Sequence, residues 1–228
     1  MDTRIWGPSG WELLHHIAAN YNHTTKKKAK QYIVFFNNLH IILPCRYCRE
    51  SYKEYIGISP FVSNNDKDIS KNLFKIHNMV NKKLDSQGYV VRYESKHSVI
   101  WKKYRNQMCD DIGLGFTFIG CCVANYPIKN PSKKLKSSYA KFFNLLPTVY
   151  GNEIGRKMWS EYLESKPIEL YLDSRKKLQN WFNYSPLKID HLGKSTISET
   201  SKLFDTYRAG CRTKSCRKRG AIAKKFSH

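Results

Sequence analysis

Apolar residues recur at three- and four-residue steps through most of the chain, the period of a helix that buries one face. Near the start, Trp11, Leu14, His15, Ala18 and Tyr21 fall on one side, and Ser9-Gly10-Trp11-Glu12 has the form of a capping box, so a helix is predicted over about 11–21. Thr24 or Thr25 can cap a second helix over 26–43 with Ile33, Phe36, Leu39 and Leu43 as its buried stripe. Pro44 ends it, because the residue before a proline is pushed away from helical geometry. Pro44 also suits the first turn of a third helix. Cys45 then stands at a helix N-terminus, with Cys48 one turn inside on the same face. A fourth helix over 66–84 lines up Leu73, Ile76, His77, Val80, Asn81 and Leu84, and a short fifth over 98–105 carries Trp101. The one strand-like run, 89–93, is brief.

Beyond about residue 112 an apolar stretch containing Gly and Cys runs to Pro127, and a basic Pro-Ser linker occupies 128–134. Further helices are predicted over 135–150, 152–165, 167–182 and 196–209, the last with Thr196-Ile197-Ser198-Glu199 as a capping box and Gly210 as its stop signal. The fold class expected is all-α, with units over 1–112 and 113–209 and a basic tail over 210–228.

Composition narrows the picture. The 228 residues carry 40 Lys plus Arg against 18 Asp plus Glu, a net charge of +22, yet 41% are apolar and 14% aromatic. That apolar content excludes a disordered basic tail. The basic excess is +8 over 1–112 and +14 over 113–228, and residues 208–225 hold eight bases and no acid. The longest nearly apolar stretch, 116–124, is about half of the roughly 20 residues a membrane-spanning helix requires, and the polar start has no signal-peptide core. The expectation is a soluble, unexported, cytoplasmic protein without membrane insertion.

A reducing cytosol makes seven cysteines informative, since such patterns signal redox chemistry or metal binding more often than structural disulfides. A helix N-terminus lowers the pKa of a thiol because unpaired N–H groups stabilise the thiolate, and Arg46 and Arg49 are expected to add to that field. Cys45 and Cys48 therefore read as a redox-active dithiol, with Cys45 nearer solvent. Half of a zinc site and a thioredoxin-type motif are the alternatives. No second Cys-x-x-Cys or His pair follows to complete a zinc site, so no metal is expected, and no strands alternate with helices around the motif. Cys121 and Cys122, inside an apolar run, read as small buried hydrophobes, and a bridge from Cys109 to Cys121 stays open. His77 and Asn81, like Trp11 and His15, are four apart on a helix face, a mix of apolar packing and hydrogen-bonding groups that suits a flat heteroaromatic ligand. Each taken singly would be an ordinary core residue.

Across residues 6–104 the chain resembles the Erv/ALR family of flavin-dependent sulfhydryl oxidases. The resemblance rests on Gly7-Pro8-Ser9-Gly10-Trp11-Glu12-Leu13-Leu14-His15, on Pro44-Cys45-Arg46-Tyr47-Cys48, and on His77-Asn78-Met79-Val80-Asn81-Lys82-Lys83-Leu84, in that order, with Trp101 following. It is most similar to the oxidases of giant DNA viruses. The resemblance implies an Erv-type four-helix bundle with a short fifth helix binding FAD, followed by a second helical domain. It further implies FAD contacts from Gly7, Trp11, His15, His77, Asn78, Val80, Asn81, Lys83, Leu84 and Trp101. Cys45 is then the exchange sulfur and Cys48 the one facing the flavin. Protein dithiols and molecular oxygen are the implied substrates, hydrogen peroxide the product, and a homodimer through the flavin domain the implied assembly. The viral likeness implies the host cytoplasm or a viral factory, with packaging in the virion, as the setting. Family members often carry a second dithiol on a terminal segment, a shuttle role that falls here on Cys211 and Cys216. Pro8 and Gly10 depart from the family pattern. Ile76 stands where a structural disulfide would begin, which removes the roughly 2–4 kcal/mol such a crosslink contributes.

A reading of another class is a basic nucleic-acid-binding helical protein, suggested by +22 charge with fifteen Tyr and five Trp. The two are compatible, since the basic C-terminal half could hold an acidic or nucleic-acid partner beside an oxidase.

Overall fold

A computed structural model of the chain describes residues 3–22, 24–91, 93, 96–106, 113–187 and 197–208. The described residues are helical throughout, without sheet: α1 (Thr3–Ala19), α2 (Lys26–Ile42), α3 (Arg46–Ile58), α4 (Asp68–Ser86), α5 (His97–Asn106), α6 (Phe116–Ala124), α7 (Lys133–Val149), α8 (Glu153–Ser165), α9 (Arg175–Phe182) and α10 (Ile197–Arg208), with a 3-10 turn at Ile168–Tyr171. The all-α expectation holds. The strand-like run forms no strand at residues 89–91, and Cys109, Thr196, Gly210, Cys211 and Cys216 lie outside the described residues.

Side-chain caps explain four of the helix starts. Thr25 accepts a hydrogen bond from the Lys28 amide at the start of α2, and Ser132, Asn152 and Ser174 do the same for α7, α8 and α9, each satisfying one of the orphan N–H groups of a first turn. Three expectations are corrected. α1 begins at Thr3 rather than near residue 11, and Ser9 lies inside it, because Trp6 is drawn into contact with Phe118 of α6 at 5.8 Å between ring centroids. The stretch over 116–124 is itself a helix. The single helix expected over 167–182 breaks at Asp173, where Ser174 starts a new one and the Leu172 carbonyl accepts from Tyr126 Oη at 2.7 Å.

α1 packs on α4 and α5, and α3 joins α2 to α4. Tyr52 Oη donates to the Phe36 carbonyl at 3.2 Å, and Arg49 donates to the Leu43 carbonyl at 2.7 Å, fixing the corner between α2 and α3. Asn72 of α4 donates to Ser59 and to the Pro60 carbonyl just after α3, at 3.2 and 2.8 Å. These bonds set where the first cysteine pair faces.

Of the remaining helices, α6 and α7 pack directly on the first five, while α8 packs on α7 and α9 and α10 pack on α6. α7 lies along α2 in the most extensive helix pair among the described residues, and α6 covers α1. The buried Asn38 amide donates to the Ser138 carbonyl at 2.7 Å, Phe35 stacks on Phe142 at 5.3 Å, and Tyr139 Oη donates to the Cys122 carbonyl at 2.9 Å. The buried apolar side chains accordingly form one continuous cluster from Trp6 to Leu187. Two glycines permit this approach. A Cβ on Gly10 would sit 3.0 Å from the Phe118 ring, which accounts for one departure from the family motif, and Gly115, at φ +85°, would drive a Cβ to 2.5 Å from Leu13.

Candidate functional site

Pro44 ends one helix and leads into the next, and Cys45 is the N-cap residue of α3 in extended geometry (φ −105°, ψ 129°). Its side chain makes no capping hydrogen bond, so the sulfur is left to the first-turn amides and to Cys48. Both cysteines are free thiols. The Cys45 thiol is lowered from 9.0 to about 6, chiefly by the hydrogen bond from the Cys48 thiol, against the cost of burial, with backbone N–H groups of Cys48 and Tyr47 adding to the effect. Cys48 is pushed up, because it donates to Cys45, is itself desolvated and faces the charge of its partner. The pair thus shares one proton, with the negative charge on Cys45.

Two expectations about this pair are corrected. Cys45 is the buried member at 6% exposure, whereas Cys48 is half-buried, since the N-cap residue is tucked under the α2–α3 corner. The flanking arginines are also occupied elsewhere: Arg46 pairs with Glu50 at 2.9 Å on the surface, and Arg49 turns inward to the Leu43 carbonyl. The helix amides and the neighbouring thiol do what the guanidinium groups were expected to do.

Beyond Cys48, Lys83 reaches from α4 and donates from Nζ to Ser51 Oγ of α3 at 2.5 Å. Its ammonium lies close enough to act on the Cys48 thiol, favouring the thiolate there. Ser51 is three residues after Cys48, hence on the same face one turn along. The sequence reading missed it.

A second cluster forms where α1, α4 and α5 meet. Trp11 stacks on His77 with ring centroids 3.8 Å apart and an interplanar angle of 11°. His15 Nε2 and His77 Nδ1 are hydrogen-bonded at 2.9 Å, and Tyr104 stacks on the other side of His15 at 5.2 Å. Burial lowers His15 to about 3, with the charges of His77 and Lys103 adding to it, and burial lowers His77 to about 4, so both rings are neutral at pH 7. α5 is held against α1 by the Asn20 amide donating to the Tyr104 carbonyl and by Arg105 donating to the Ala19 carbonyl, at 3.3 and 3.2 Å. His97 Nε2 and Ser70 Oγ, 3.0 Å apart, tie α5 to α4. Tyr104 was not anticipated, although its position three residues after Trp101 is a helix-face signal.

Of the other expected ligand residues, Asn78, Val80, Asn81 and Leu84 are half-buried along α4, Trp101 is half-buried with Lys67 Nζ 4.8 Å from its ring centroid, and Gly7 is buried in α1. Three observations bear on whether these residues suit a flavin. His15 Nδ1 and Trp101 Nε1 are buried and have no hydrogen-bond partner among the described residues. A Cβ on Gly7 would meet nothing within 4 Å, so there is space beside that backbone. Neutral imidazoles and indoles are also the side chains that pack on a flat heteroaromatic ring. The residues present fit such a group. Trp11 and His77 already touch, so a ring stacking against the inner face of either displaces the other.

Among the described residues no group of three or more His, Cys, Asp or Glu could hold a metal ion, and no helix is long and apolar enough to cross a membrane.

Residues 8–104 match the model of the Erv1 / Alr family. The chain is 32% identical over 108 residues to a putative FAD-linked sulfhydryl oxidase, 096R, of Invertebrate iridescent virus 3, covering 46% of this chain and 69% of that protein. It is 32% identical over 102 residues to the FAD-linked sulfhydryl oxidase of African swine fever virus (isolate Tick/Malawi/Lil 20-1/1983), covering 44% of this chain and 77% of that protein. With the mitochondrial FAD-linked sulfhydryl oxidase ERV1 of Saccharomyces cerevisiae it shares 28% identity over 105 residues, 44% of this chain and 52% of that one. No solved structure matches the chain. The asymmetric dithiol at a helix start marks a thiol-redox protein. The chain belongs to the Erv1/Alr family.

Proposed function

We propose that this protein is an FAD-linked thiol oxidase that makes disulfides in protein substrates, joining two thiols to one dioxygen to give a disulfide and hydrogen peroxide. The observation that carries the reading is the asymmetric pair on α3, with its charge on Cys45 and its proton on Cys48. In the oxidised enzyme a substrate thiolate attacks Cys45 Sγ, the S–S bond breaks, and Cys48 leaves as the thiolate, with Lys83 opposite it. A second substrate thiolate then attacks the substrate sulfur of the mixed disulfide and expels Cys45, whose lowered pKa makes it a good leaving group. The substrate departs as a disulfide and two electrons stay in the dithiol. FAD held by these residues would supply the remaining chemistry, an acceptor for that electron pair and a route for it to dioxygen.

Trp11, His15, His77 and Trp101 are the residues we assign to the ring system, with Gly7, Asn78, Val80, Asn81, Lys83 and Leu84 along its margins. The neutral imidazoles bring hydrogen-bonding groups without a charge that would need solvent. Cys48, half-buried, is assigned to the cofactor side. Residues 1–112 form the flavin unit in this proposal, followed by a second helical unit over 113–209 and a tail over 210–228. A homodimer through the flavin unit would use surfaces other than those that α6 and α7 already cover on α1 and α2. The viral relatives support a cytoplasmic setting, the host cytoplasm or a viral factory, where a dedicated oxidase lets disulfides form against the prevailing poise.

The purified protein should be yellow, with flavin absorbance at about 450 nm, and should consume oxygen when given dithiothreitol. Colourless protein after reconstitution, or no oxygen uptake, overturns the reading. Cys211 and Cys216 are proposed as the shuttle pair on the basis of sequence. Replacing both with Ser should leave dithiothreitol turnover intact and slow oxidation of a protein dithiol, whereas equal rates on the protein substrate remove that part of the proposal.

A further inference from the structure

The most extensive helix pair joins two parts of the chain that contain no acid. Residues 13–49 hold six bases without an Asp or Glu, and residues 113–152 hold five. α2 lies in the first and α7 in the second. Asn38 contacts Ser138 and Phe35 contacts Phe142, so the two helices run antiparallel. Between them is a groove of about 330 Å³ lined by Val34, Asn37, Ile41, Lys134, Ser137 and Lys141, among others. On α2, Lys27 and Lys30 continue the line of Val34, Asn37 and Ile41 at three- and four-residue steps, so they extend the same flank. That line spans about 21 Å.

The four lysines Lys27, Lys30, Lys134 and Lys141 are exposed, and among the described residues none makes an ion pair. The acids that approach α7 do so elsewhere: Asp173 holds Lys136 at 2.7 Å and Glu169 accepts from Asn144 at 2.7 Å, beside the 3-10 turn and α9. We propose that this groove binds the phosphodiester backbone of double-stranded nucleic acid, independently of base sequence and apart from the dithiol.

The choice of occupant follows from the side chains. Lys, Ser and Asn are the groups that bind phosphate oxygens and position a duplex. A protein partner would call for aromatic or Arg anchors at the centre of the patch, where Lys is depleted. A single strand would call for exposed rings on which bases stack. Among the described residues the exposed aromatic side chains are Tyr47, Tyr93 and Tyr184, none of them on α2 or α7. A duplex presents one charge per about 1.7 Å of axis, dense enough to meet all four ammonium groups along the groove.

The test is binding of the full-length protein to a fluorescent duplex of about twenty base pairs, read by anisotropy over a range of salt concentrations. The comparison is a variant carrying Lys27→Gln, Lys30→Gln, Lys134→Gln and Lys141→Gln, with polyglutamate as a second polyanion. Each lost phosphate contact lowers the slope of log affinity against log salt by about 0.9, so the variant should lose three to four in slope and more than about a hundredfold in affinity at 0.1 M salt. The basic tail over 208–225 is present in both proteins and contributes equally. Unchanged melting temperature and dithiothreitol oxidation establish that the variant is folded, and the four single variants, each with its own step in slope, give the same reading should the combined one melt early. An unchanged slope and affinity in the variants, or wild-type protein that prefers polyglutamate to the duplex, overturns the proposal.

Discussion

Cys45 and Cys48 stand at the start of α3, whereas Cys121 and Cys122 stand within α6, and their chemistry diverges accordingly. In the first pair the Cys48 thiol donates to Cys45 and the first-turn amides add to it, so the Cys45 thiol falls to about 6, while the Lys83 ammonium acts on Cys48. In the second pair both residues are fully buried among apolar side chains, with Arg49 as the one cation acting on Cys122. Burial pushes Cys121 up to about 12 and Cys122 well above the ordinary range. The amides around Cys121 and Cys122 are already bonded within the helix, so no donor is left to stabilise a thiolate. A reactive pair needs a neighbouring thiol placed to donate and first-turn amides left free at a helix start, and adjacency alone, as at Cys121 and Cys122, supplies neither.

The largest effect that would break this contrast is on turnover. Cys45→Ser or Cys48→Ser should lower oxygen consumption with dithiothreitol by roughly a thousandfold or more, while Cys121→Ala should leave it unchanged within about twofold. Comparable losses at both pairs would erase the distinction.

Alkylation sharpens it next. In the reduced protein, iodoacetamide should modify Cys45 with a half-maximal rate near pH 6, followed by mass spectrometry. Cys121 and Cys122 should stay unmodified until the chain unfolds. Modification of Cys122 in the folded protein at pH 8 would contradict its placement.

Stability should separate the pairs in the opposite sense. Cys122→Ser puts a hydroxyl at a fully buried position, at a cost of roughly 1–3 kcal/mol in denaturant unfolding, with turnover kept. Cys45 and the imidazoles instead act through pH. The folded value of Cys45 is below its ordinary one, so the unfolded chain binds more protons between about 6 and 9.0, and the reduced protein loses stability as pH falls through about 6. His15 continues the loss from 6.5 down to about 3, because only the unfolded state takes up its proton in that window. Melting temperatures of His15→Gln should therefore depend less steeply on acid than those of wild type.

The smallest expected effect concerns Ser51. Ser51→Ala removes one hydrogen bond to Lys83 and should slow turnover about two- to tenfold, with Ser51→Thr restoring it. No change in Ser51→Ala would mean that Lys83 holds its place without that contact.

Much of the helical framework is legible in the sequence, because periodicity, proline and capping residues act locally. The helix starting after Pro44, the spacing of Cys45 and Cys48, and the shared face of His77 and Asn81 needed no tertiary information. The start of α1 was not legible, since Trp6 is held in place by Phe118 from a segment more than a hundred residues away. Gly10 looked like a departure in the flavin motif and is instead the contact surface for α6.

What the amino-acid sequence determined by itself is a set of one-sided helices, a thiol placed at the mouth of one of them, and the residue types that suit a flat ligand. Tertiary structure alone decided that Trp11 meets His77, that Lys83 reaches Ser51, and that α7 lies on α2 so that two acid-free segments make one surface. The physical reason is range. Hydrogen bonds and steric limits within one or two turns are written into neighbouring residues, whereas the meeting of distant helices depends on how all their apolar faces fill a common core at once.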